Sequence, residues 1–438
     1  MIENDLKEAL ESITSQELNG KNYKRSDFAR SILNYPAMMV PAVQEPIIHC
    51  LSKHLDEKIS LIDPFMGASN TLVTGMKQGC EVFGQDINPL SLLVSQVKTS
   101  YYLSTELEEA RRVLMSKINS DTSVRIEVDF KNIDKWFKAE VQLELSKLRR
   151  GILSEDNLLI RKFFWVALAE VIRLVSNDRT STFKLHVRTS DDIQNRRLSP
   201  IELFTSLVKR STRDIIEFCR ILEEGDHIEN GQYKNNVDVV WGNSLGGLNT
   251  KKQFNLLVTS PPYGDNQTTV TYGQFSYLPL QWIPMEDIDP NIYIDYLKST
   301  MEIDSNSLGG KMIQNFSEVE EKLFEKSSEL KGLFEKFDFE KKKKAKKVLN
   351  FFHDMDLSID NMVTKLKPGA FMVWTIGNRN VNKTEIKNDK ILSEILQSKD
   401  IELVTDLERD ILSKRMPGRN NFSDLMKKEK ILIFKNKY

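Results

Sequence analysis

The sequence predicts an α/β fold built on a parallel sheet. Residues 59–86 read as strand, glycine-containing turn, helix and strand, which is the order of a parallel βαβ unit. Apolar runs typical of buried strands return at 237–241, 255–259 and 370–377. The stretches that separate these runs are far longer than βα loops require, and their apolar residues recur at helical spacing. We therefore expect one α/β core interrupted by two mainly helical insertions.

The chain divides into five segments on this interpretation. We expect an N-terminal segment and the first half of the core at 1–100, a helical insertion at 101–235, a second part of the core at 236–275, another helical insertion at 276–349 and the end of the core at 350–438. The second insertion ends in a lysine-rich block at 340–347. A solvated helix face is the ordinary interpretation of such a block, and a phosphate-binding surface is the alternative.

The first hundred residues contain the elements of the βαβ unit in order. Residues 1–20 predict a short polar helix and 42–55 an apolar one. A strand then ends at Asp63, and a turn at Gly67 opens a helix that continues to about Gln78. A second strand covers 81–86, and the Asn88-Pro89 pair opens the next helix because proline is favoured at the first helical position.

The last hundred residues supply the remaining elements. Residues 348–366 have the spacing of an amphipathic helix that the Lys367-Pro368-Gly369 sequence closes. A buried-type strand follows at 370–377, and a helix is expected at 391–397. Short apolar runs at 402–404 and 430–434 predict the closing strands.

Composition limits the class of protein. The 438 residues suggest two or three structural units, and 40% hydrophobic residues suffice for a core. A formal net charge of -1 argues against a uniformly basic coat but allows one basic face. The three cysteines and five histidines are scattered, which predicts neither disulfides nor a metal site. The sequence begins without a signal-peptide pattern and has no membrane-length apolar run, so we expect a cytoplasmic protein.

Three predicted strands end in residues that can bind a ligand. Gly67 permits a tight turn and close approach of the backbone to a ligand, although a lone glycine is not a dinucleotide fingerprint. Asp86 could accept hydrogen bonds from the two hydroxyls of a ribose, or could cap the helix at Asn88. Asn243 could bond an adenine edge, or could cap a turn.

The most specific pattern is a strand at 255–259 that runs into Ser260-Pro261-Pro262-Tyr263. An amine on an aromatic base has its lone pair drawn into the ring, so a site that makes it nucleophilic must accept hydrogen bonds from both N–H groups. Ser260 Oγ and the Pro261 carbonyl would be two such acceptors, held rigid by the prolines. Tyr263 offers a face on which the base can stack, and a base from a duplex must be flipped out to reach it.

These residues resemble the motifs of S-adenosylmethionine-dependent DNA amino-methyltransferases. The 259–263 stretch resembles the catalytic motif, in the serine form of the N4-cytosine subgroup, and 63–67 resembles the motif that binds the methionine part of the cofactor. The resemblance implies a Rossmann-like, seven-stranded methyltransferase sheet. It assigns catalysis to Ser260, Pro261, Pro262 and Tyr263. It assigns cofactor binding to Tyr35, Pro36, Asp63, Phe65, Gly67, Asp86, Asn243 and Ser244.

The chain departs from the family pattern at two positions. Ser69 stands where the family usually has a second glycine, and Asn243 stands where an aspartate usually contacts the adenine of the cofactor. A serine at position 69 could narrow the room for the methionine end of the cofactor.

The resemblance implies site-specific methylation of double-stranded DNA at an exocyclic amine, and the serine form of the motif favours the amine at cytosine N4. It also implies a restriction–modification system, in which a cognate endonuclease acts on the same site. No metal is required, because the sulfonium already activates the methyl group. Three alternatives stay open at this stage: an N6-adenine DNA methyltransferase, an RNA guanine-N2 methyltransferase, and a catalytically silent nucleic-acid-binding protein on the same scaffold.

DNA binding requires basic side chains grouped on one face. The first insertion is the candidate target-recognition domain, and a loop near the C-terminus adds further cations. The candidate phosphate contacts are Arg179, Lys184, Arg188, Arg196, Arg197, Lys414, Arg415 and Arg419, each of which could also be ordinary surface. Gln267, Thr268, Thr269 and Tyr272 follow the catalytic loop and could line the pocket of the flipped base or fill the gap left in the duplex.

Overall fold

The structure is a computed structural model that describes residues 2–20, 24, 26–29, 32–292, 295–381, 383–411 and 428–437. Its centre is a sheet of seven strands. The strands are β1 (Ser60–Asp63), β2 (Glu81–Asp86), β3 (Val237–Trp241), β4 (Phe254–Thr259), β5 (Leu366–Ile376), β6 (Ile401–Asp410) and β7 (Lys428–Asn436). Two short hairpins lie outside it, one pairing Ile228–Glu229 with Gln232–Tyr233 and the other pairing Arg379–Val381 with Thr384–Ile386.

The spatial order of the sheet is β6-β7-β5-β4-β1-β2-β3. The pairs among β1 to β5 are parallel, and β7 runs antiparallel to both β5 and β6. Every residue of β4 is buried, as expected for a central strand covered on both faces. The prediction of a Rossmann-like, seven-stranded methyltransferase sheet is therefore confirmed.

Eighteen α-helices surround the sheet in the described part of the chain. The first five are α1 (Ile2–Glu11), α2 (Ser15–Leu18), α3 (Pro41–Ser52), α4 (Asn70–Lys77) and α5 (Pro89–Lys98). Six more precede β3: α6 (Ser104–Ser120), α7 (Ile133–Trp136), α8 (Ala139–Leu153), α9 (Leu158–Val175), α10 (Ser190–Asn195) and α11 (Pro200–Glu224). The others are α12 (Tyr272–Trp282), α13 (Met285–Ile288), α14 (Glu302–Asn306), α15 (Phe316–Lys326), α16 (Ser328–Glu335), α17 (Phe339–Val363) and α18 (Asn388–Gln397). Short 3-10 turns occupy Ser26–Phe28 and Ser244–Gly246.

The helices between α5 and β3 share one hydrophobic core with a face of the sheet. Helix α9 is buried over most of its circumference, including Phe163, Phe164 and Trp165, and it packs against α5 and α12. A helix that is apolar nearly all round needs such cover on several sides. The division of the chain into core and insertions stays a prediction.

Helix α17 and strand β5 begin earlier than the sequence predicts. Asp338 caps α17 by accepting a 2.8 Å hydrogen bond from the Lys341 amide, so the lysine block is helical and continuous with the helix expected from residue 348. The Pro368-Gly369 pair lies inside β5 rather than ending a helix. Proline is tolerated there because residues 367–370 fall in an irregularity of the pairing between β4 and β5. The expected boundary after residue 349 thus falls inside α17.

Within the described ranges, no helix combines the length and the apolar character needed to cross a membrane.

Candidate active site

A cavity opens where β1 to β4 end. It encloses about 870 Å³, including the part open to solvent. Ligand sites of open α/β sheets lie at this carboxyl edge. All eight residues predicted to bind the cofactor line it: Tyr35, Pro36, Asp63, Phe65, Gly67, Asp86, Asn243 and Ser244. Ser260 and Pro262 line it too, so the two predicted sites share one cavity.

Asp63 joins the ends of β1 and β4. Its Oδ1 accepts hydrogen bonds from Thr259 Oγ1 at 2.7 Å and from the Phe65 amide at 3.1 Å. The side chain is buried, and this burial raises the pKa of Asp63 to about 6 against the effect of these hydrogen bonds. The carboxylate therefore fixes the strand ends and adds negative character to the cavity wall.

Asp86 is held between the glycine turn and the next helix. Its Oδ2 accepts from the Gly67 amide at 3.0 Å, and its Oδ1 accepts from the Asn88 amide at 2.8 Å. The helix cap is Asn88, whose own Oδ1 accepts from the Leu90 amide at 3.0 Å, so the capping interpretation of Asp86 is wrong. Each carboxylate oxygen keeps a lone pair for a ligand hydroxyl. Burial raises the pKa of Asp86 from its usual value.

Ser69 adopts a backbone conformation that favours glycine. Its backbone is left-handed, with φ 54° and ψ 29°, a conformation that costs a side chain with a Cβ about 1–3 kcal/mol. The side chain is fully buried, and its hydroxyl has no hydrogen-bond partner within the described part of the chain. The turn is braced by Lys98, whose Nζ donates to the Ala68 carbonyl at 2.7 Å and to Asn70 Oδ1 at 2.6 Å.

Asn243 caps the turn after β3. Its Oδ1 accepts from the Leu245 amide at 3.1 Å, and its Nδ2 donates to the Asn306 carbonyl at 2.8 Å. Of the two roles open at Asn243, the turn cap is therefore present in the structure. One amide proton and one lone pair remain for a ligand in the cavity. Ser244 Oγ donates to the Pro64 carbonyl at 2.8 Å, which ties this turn to the end of β1.

Tyr35 forms part of the cavity wall. Its ring stacks on Tyr272 with centroids 5.8 Å apart and meets the edge of Phe275 at 5.5 Å. Its hydroxyl accepts from Asn88 Nδ2 at 2.9 Å. Burial raises the pKa of Tyr35 well above its usual value, so the phenol stays neutral.

Two residues of the catalytic loop, Ser260 and Pro262, line the cavity. Pro261 and Tyr263 are not among the lining residues. Ser260 Oγ lies 3.5 Å from the Tyr263 hydroxyl, which donates to Glu429 Oε1 at 3.0 Å. Burial and then the Glu429 charge raise the pKa of Tyr263 well above its usual value. The structure thus holds the tyrosine from β7, in a position that does not form the cavity wall.

The residues after the loop are locked by an ion-pair cluster. Asp265 is buried, with Arg379 Nη1 and Lys347 Nζ each 3.7 Å from one of its carboxylate oxygens. The Arg379 guanidinium packs so closely on Gly264 that a Cβ there would lie 2.0 Å from Nη1. Any larger residue at position 264 would therefore force the Arg379 guanidinium to move away from this position.

Sequence reasoning missed the contribution of the second insertion to the cavity. Ile303, Ser307 and Leu308 line it, together with Asn266 from the catalytic loop's continuation. Beside them Asp304 is fully buried and accepts from the Gly273 amide at 2.9 Å, and burial raises its pKa to about 6. No motif marks this region, so nothing in the sequence pointed to it.

Of the four residues proposed to line the base pocket, one lines the cavity and three make other contacts. Tyr272 lines the cavity. Thr268 and Thr269 bond Asp265 instead, and Gln267 accepts from Lys347 Nζ at 3.2 Å.

The basic residues of the first insertion fall into two groups. Arg196 donates to the Ser176 and Leu174 carbonyls, both at 2.6 Å, and so caps the end of α9. Arg188 donates to the Asp178 carbonyl at 2.9 Å. Three are exposed: Arg179, Lys184 and Arg197. The candidates Lys414, Arg415 and Arg419 lie outside the described residues.

The loop that carries Arg179 and Lys184 lies beside the start of α12. Thr271 Oγ1 donates to the Phe183 carbonyl at 3.0 Å, and the Leu185 amide donates to Gln274 Oε1 at 3.0 Å. These contacts put the loop next to Tyr272, and so next to the cavity.

The sheet order, its antiparallel β7 and the cavity at the carboxyl edge define a Rossmann-like methyltransferase fold. The chain is 34% identical over 419 residues to the Type II methyltransferase M.MvaI of Kocuria varians, across 92% of this chain and 90% of that protein. It is 28% identical over 144 residues to the Type II methyltransferase M.MjaII of Methanocaldococcus jannaschii, across 31% of this chain and 26% of that protein. The chain belongs to the Type II methyltransferases, the methyltransferases of restriction–modification systems.

Two further comparisons add nothing to this assignment. No family model matches the chain. Among solved structures, an rRNA methyltransferase, aviRa of Streptomyces viridochromogenes, aligns over 94% of this chain and 93% of its own, but with 8% identity and a TM-score of 0.32, which is too low to support an argument.

Proposed function

We propose that this protein is a site-specific DNA methyltransferase that transfers a methyl group from S-adenosylmethionine to the exocyclic amine of a flipped base. The amine that we propose is N4 of cytosine. The observation that carries the proposal is the shared cavity: Ser260 of the catalytic loop faces the same space as Asp63 and Asp86. A reacting amine and a cofactor bound there would lie next to each other.

The residues of the cavity fit S-adenosylmethionine. The cofactor carries a sulfonium and an ammonium, and the carboxylates of the buried Asp63 and the half-buried Asp86 complement these cations. Asp86 keeps acceptor capacity on both oxygens for the ribose hydroxyls, and the Gly67 turn lets a ligand approach the backbone. When bound, the cofactor supplies a methyl group that its sulfonium already activates.

The catalytic loop would act by accepting hydrogen bonds. Ser260 Oγ and the Pro261 carbonyl take the two N–H groups of the amine, which returns its lone pair to the nitrogen. The prolines keep the acceptors in place before the base arrives, so little reorganisation is needed during transfer. Tyr263 provides the stacking face for the base, and the Glu429 contact at 3.0 Å sets the position of its ring. The proton leaves to solvent or to the loop.

DNA recognition is assigned to the insertions. The exposed Arg179 and Lys184 lie on the loop beside α12, where they can contact phosphates flanking the flipped base. Arg188 is better explained as a support of that loop, and Arg196 as a support of the end of α9. A cognate endonuclease and a cytoplasmic location complete the proposal for a restriction–modification enzyme.

The test is sequencing of modified bases in DNA from cells that express the chain or its Ser260→Ala variant. We expect N4-methylcytosine in one short motif, and none with the variant. N6-methyladenine would overturn the choice of base, and methylated RNA with unmodified DNA would overturn the choice of polymer.

Calorimetry with S-adenosylmethionine and its demethylated product provides the control. We expect Ser260→Ala to bind both nearly as the wild type does, and Asp86→Ala to bind them more weakly. A wild-type protein that releases no heat with either compound would instead be a silent scaffold.

A further inference from the structure

The first turns of α17 carry a basic surface that the proposed site does not use. Six of the seven residues at 341–347 are lysine. Lys341, Lys342 and Lys343 are exposed, and Lys341 lies 4.0 Å from Asp338. Lys342 and Lys343 have no ion-pair partner among the residues that the structure describes.

The contacts of Lys347 fix the position of this surface. Its Nζ donates to Gln267 Oε1 at 3.2 Å and lies 3.7 Å from Asp265 Oδ1. Both partners belong to the segment that directly follows the Ser-Pro-Pro-Tyr loop. Further along α17, Asp354 accepts from the Gly309 amide at 2.7 Å, next to Leu308 of the cavity wall. Helix α17 therefore runs past the cavity and reaches the level of the catalytic loop at Lys347.

The helix continues beyond that level. It leads into β5, which is parallel to β4, so α17 must begin on the carboxyl edge of the sheet. Eight residues, 339–346, precede Lys347 in the helix. At 1.5 Å per residue they extend roughly 12 Å past the contact with the catalytic loop. Lys343 lies four residues before Lys347, on the same face of the helix.

We propose that Lys342 and Lys343 contact the phosphate backbone of duplex DNA beside the flipped base. This inference rests on the proposed function: a base that reaches Ser260 brings its duplex to the carboxyl edge, where the lysines project. A duplex there presents a dense row of negative charges, and lysines with no acid partner can replace the condensed counterions. The lysine block is then part of the DNA-binding face and not simply a solvated surface.

The test compares two double variants that lose the same charge. Lys342→Ala/Lys343→Ala removes the proposed contacts. Lys53→Ala/Lys251→Ala removes two exposed lysines that precede β1 and β4, at the amino edge of the sheet. Binding to a fluorescent duplex is measured by anisotropy over a range of salt concentrations.

We expect the α17 variant to reduce the slope of log K against log salt by about 1.8, since each phosphate contact contributes about 0.9. The reduction should be the same for duplexes with and without the methylated motif, because phosphates carry no direct sequence information. The control variant should keep the wild-type slope, and both variants should bind S-adenosylmethionine as the wild type does. A wild-type slope in the α17 variant, or an equal loss in the control, overturns the inference.

Methylation by the wild-type preparation separates this inference from the proposed function. If the wild type methylates the duplex and the α17 variant keeps its slope, only the placement of the phosphate contacts is wrong. If the wild type neither binds nor methylates duplex DNA, both proposals fall.

Discussion

Ser69 carries a conformational cost that a glycine at the same position would not have. The turn after β1 needs a left-handed residue at this position, and glycine reaches that conformation without a Cβ clash. Serine adds a buried hydroxyl for which the described structure offers no partner. An unsatisfied buried hydroxyl costs about 1–3 kcal/mol in addition to the backbone strain. Ser69 is thus a strained, buried position between Ala68 and Asn70, which line the proposed cofactor site.

Replacing Ser69 by glycine should therefore stabilise the protein. We expect Ser69→Gly to raise the free energy of unfolding by about 1 kcal/mol, after subtracting the greater freedom of glycine in the unfolded chain. Urea denaturation monitored by tryptophan fluorescence measures it. Ser69→Ala is the matched control, because it removes the hydroxyl and keeps the strain. A loss of stability in Ser69→Gly would contradict the strain assigned to this turn.

At the level of elements, strands β6 and β7 support the catalytic loop from a distance in sequence. Arg409 and Glu429 are opposite each other in the antiparallel register. Arg409 Nε donates to Glu429 Oε2 at 2.8 Å, while Glu429 Oε1 accepts from the Tyr263 hydroxyl. A strand pair beside β5 thereby sets the position of the residue on which the base would stack.

Glu429 should act as a positioning residue. We expect Glu429→Ala to lower kcat about tenfold, equivalent to about 1.4 kcal/mol in the transition state, because the Tyr263 ring loses its anchor. The Kd for S-adenosylmethionine should stay unchanged. Glu429→Gln keeps an acceptor for the hydroxyl and should restore most of the rate. Equal rates in wild type and Glu429→Ala, measured by methyl transfer to DNA, would show that the anchor is unimportant.

At the scale of the whole molecule, folding buries two carboxyl groups from distant parts of the chain, one in the cavity wall and one beside it. Burial raises the pKa of both Asp63 and Asp304 to about 6, above the ordinary aspartate value of 3.8. The folded state therefore holds these protons more tightly than the unfolded chain does between those two values. Stability contributed by the protonated groups is present at low pH and is lost as the pH rises through this window.

Asp304→Asn should remove one part of that pH dependence. Asparagine keeps an acceptor for the Gly273 amide but cannot ionise. We compare the unfolding free energy of the wild type with that of the variant between pH 4 and about 6.5. The wild-type value should fall relative to the variant by up to about 3 kcal/mol as the pH rises, since one unit of pKa is worth about 1.4 kcal/mol. Urea denaturation across this pH range measures the difference. The contribution of Asp63 to the pH dependence cancels, because Asp63 is present in both proteins. A constant difference would mean that Asp304 titrates as an exposed carboxyl does.

The sequence by itself determined the sheet and the edge at which the cavity lies. Strand runs, the Gly67 turn and the prolines after β4 are local signals, and parallel strands necessarily bring their carboxyl ends to one edge. That rule suffices to place Asp63, Asp86 and Ser260 near one another from their positions in the strand order. The same local signals predicted the closing strands, although β6 is longer than its apolar centre indicated.

Only the tertiary structure decided which distant residues complete the site. Ile303 and Leu308 belong to a segment without a motif, and their position depends on packing against α17 and α12. The role of Arg196 as a helix cap could not be predicted from its charge. An arginine in the sequence is the same residue whether it binds a backbone carbonyl or a phosphate. Long-range contacts of this kind follow from the whole packed chain, and local patterns carry no record of them.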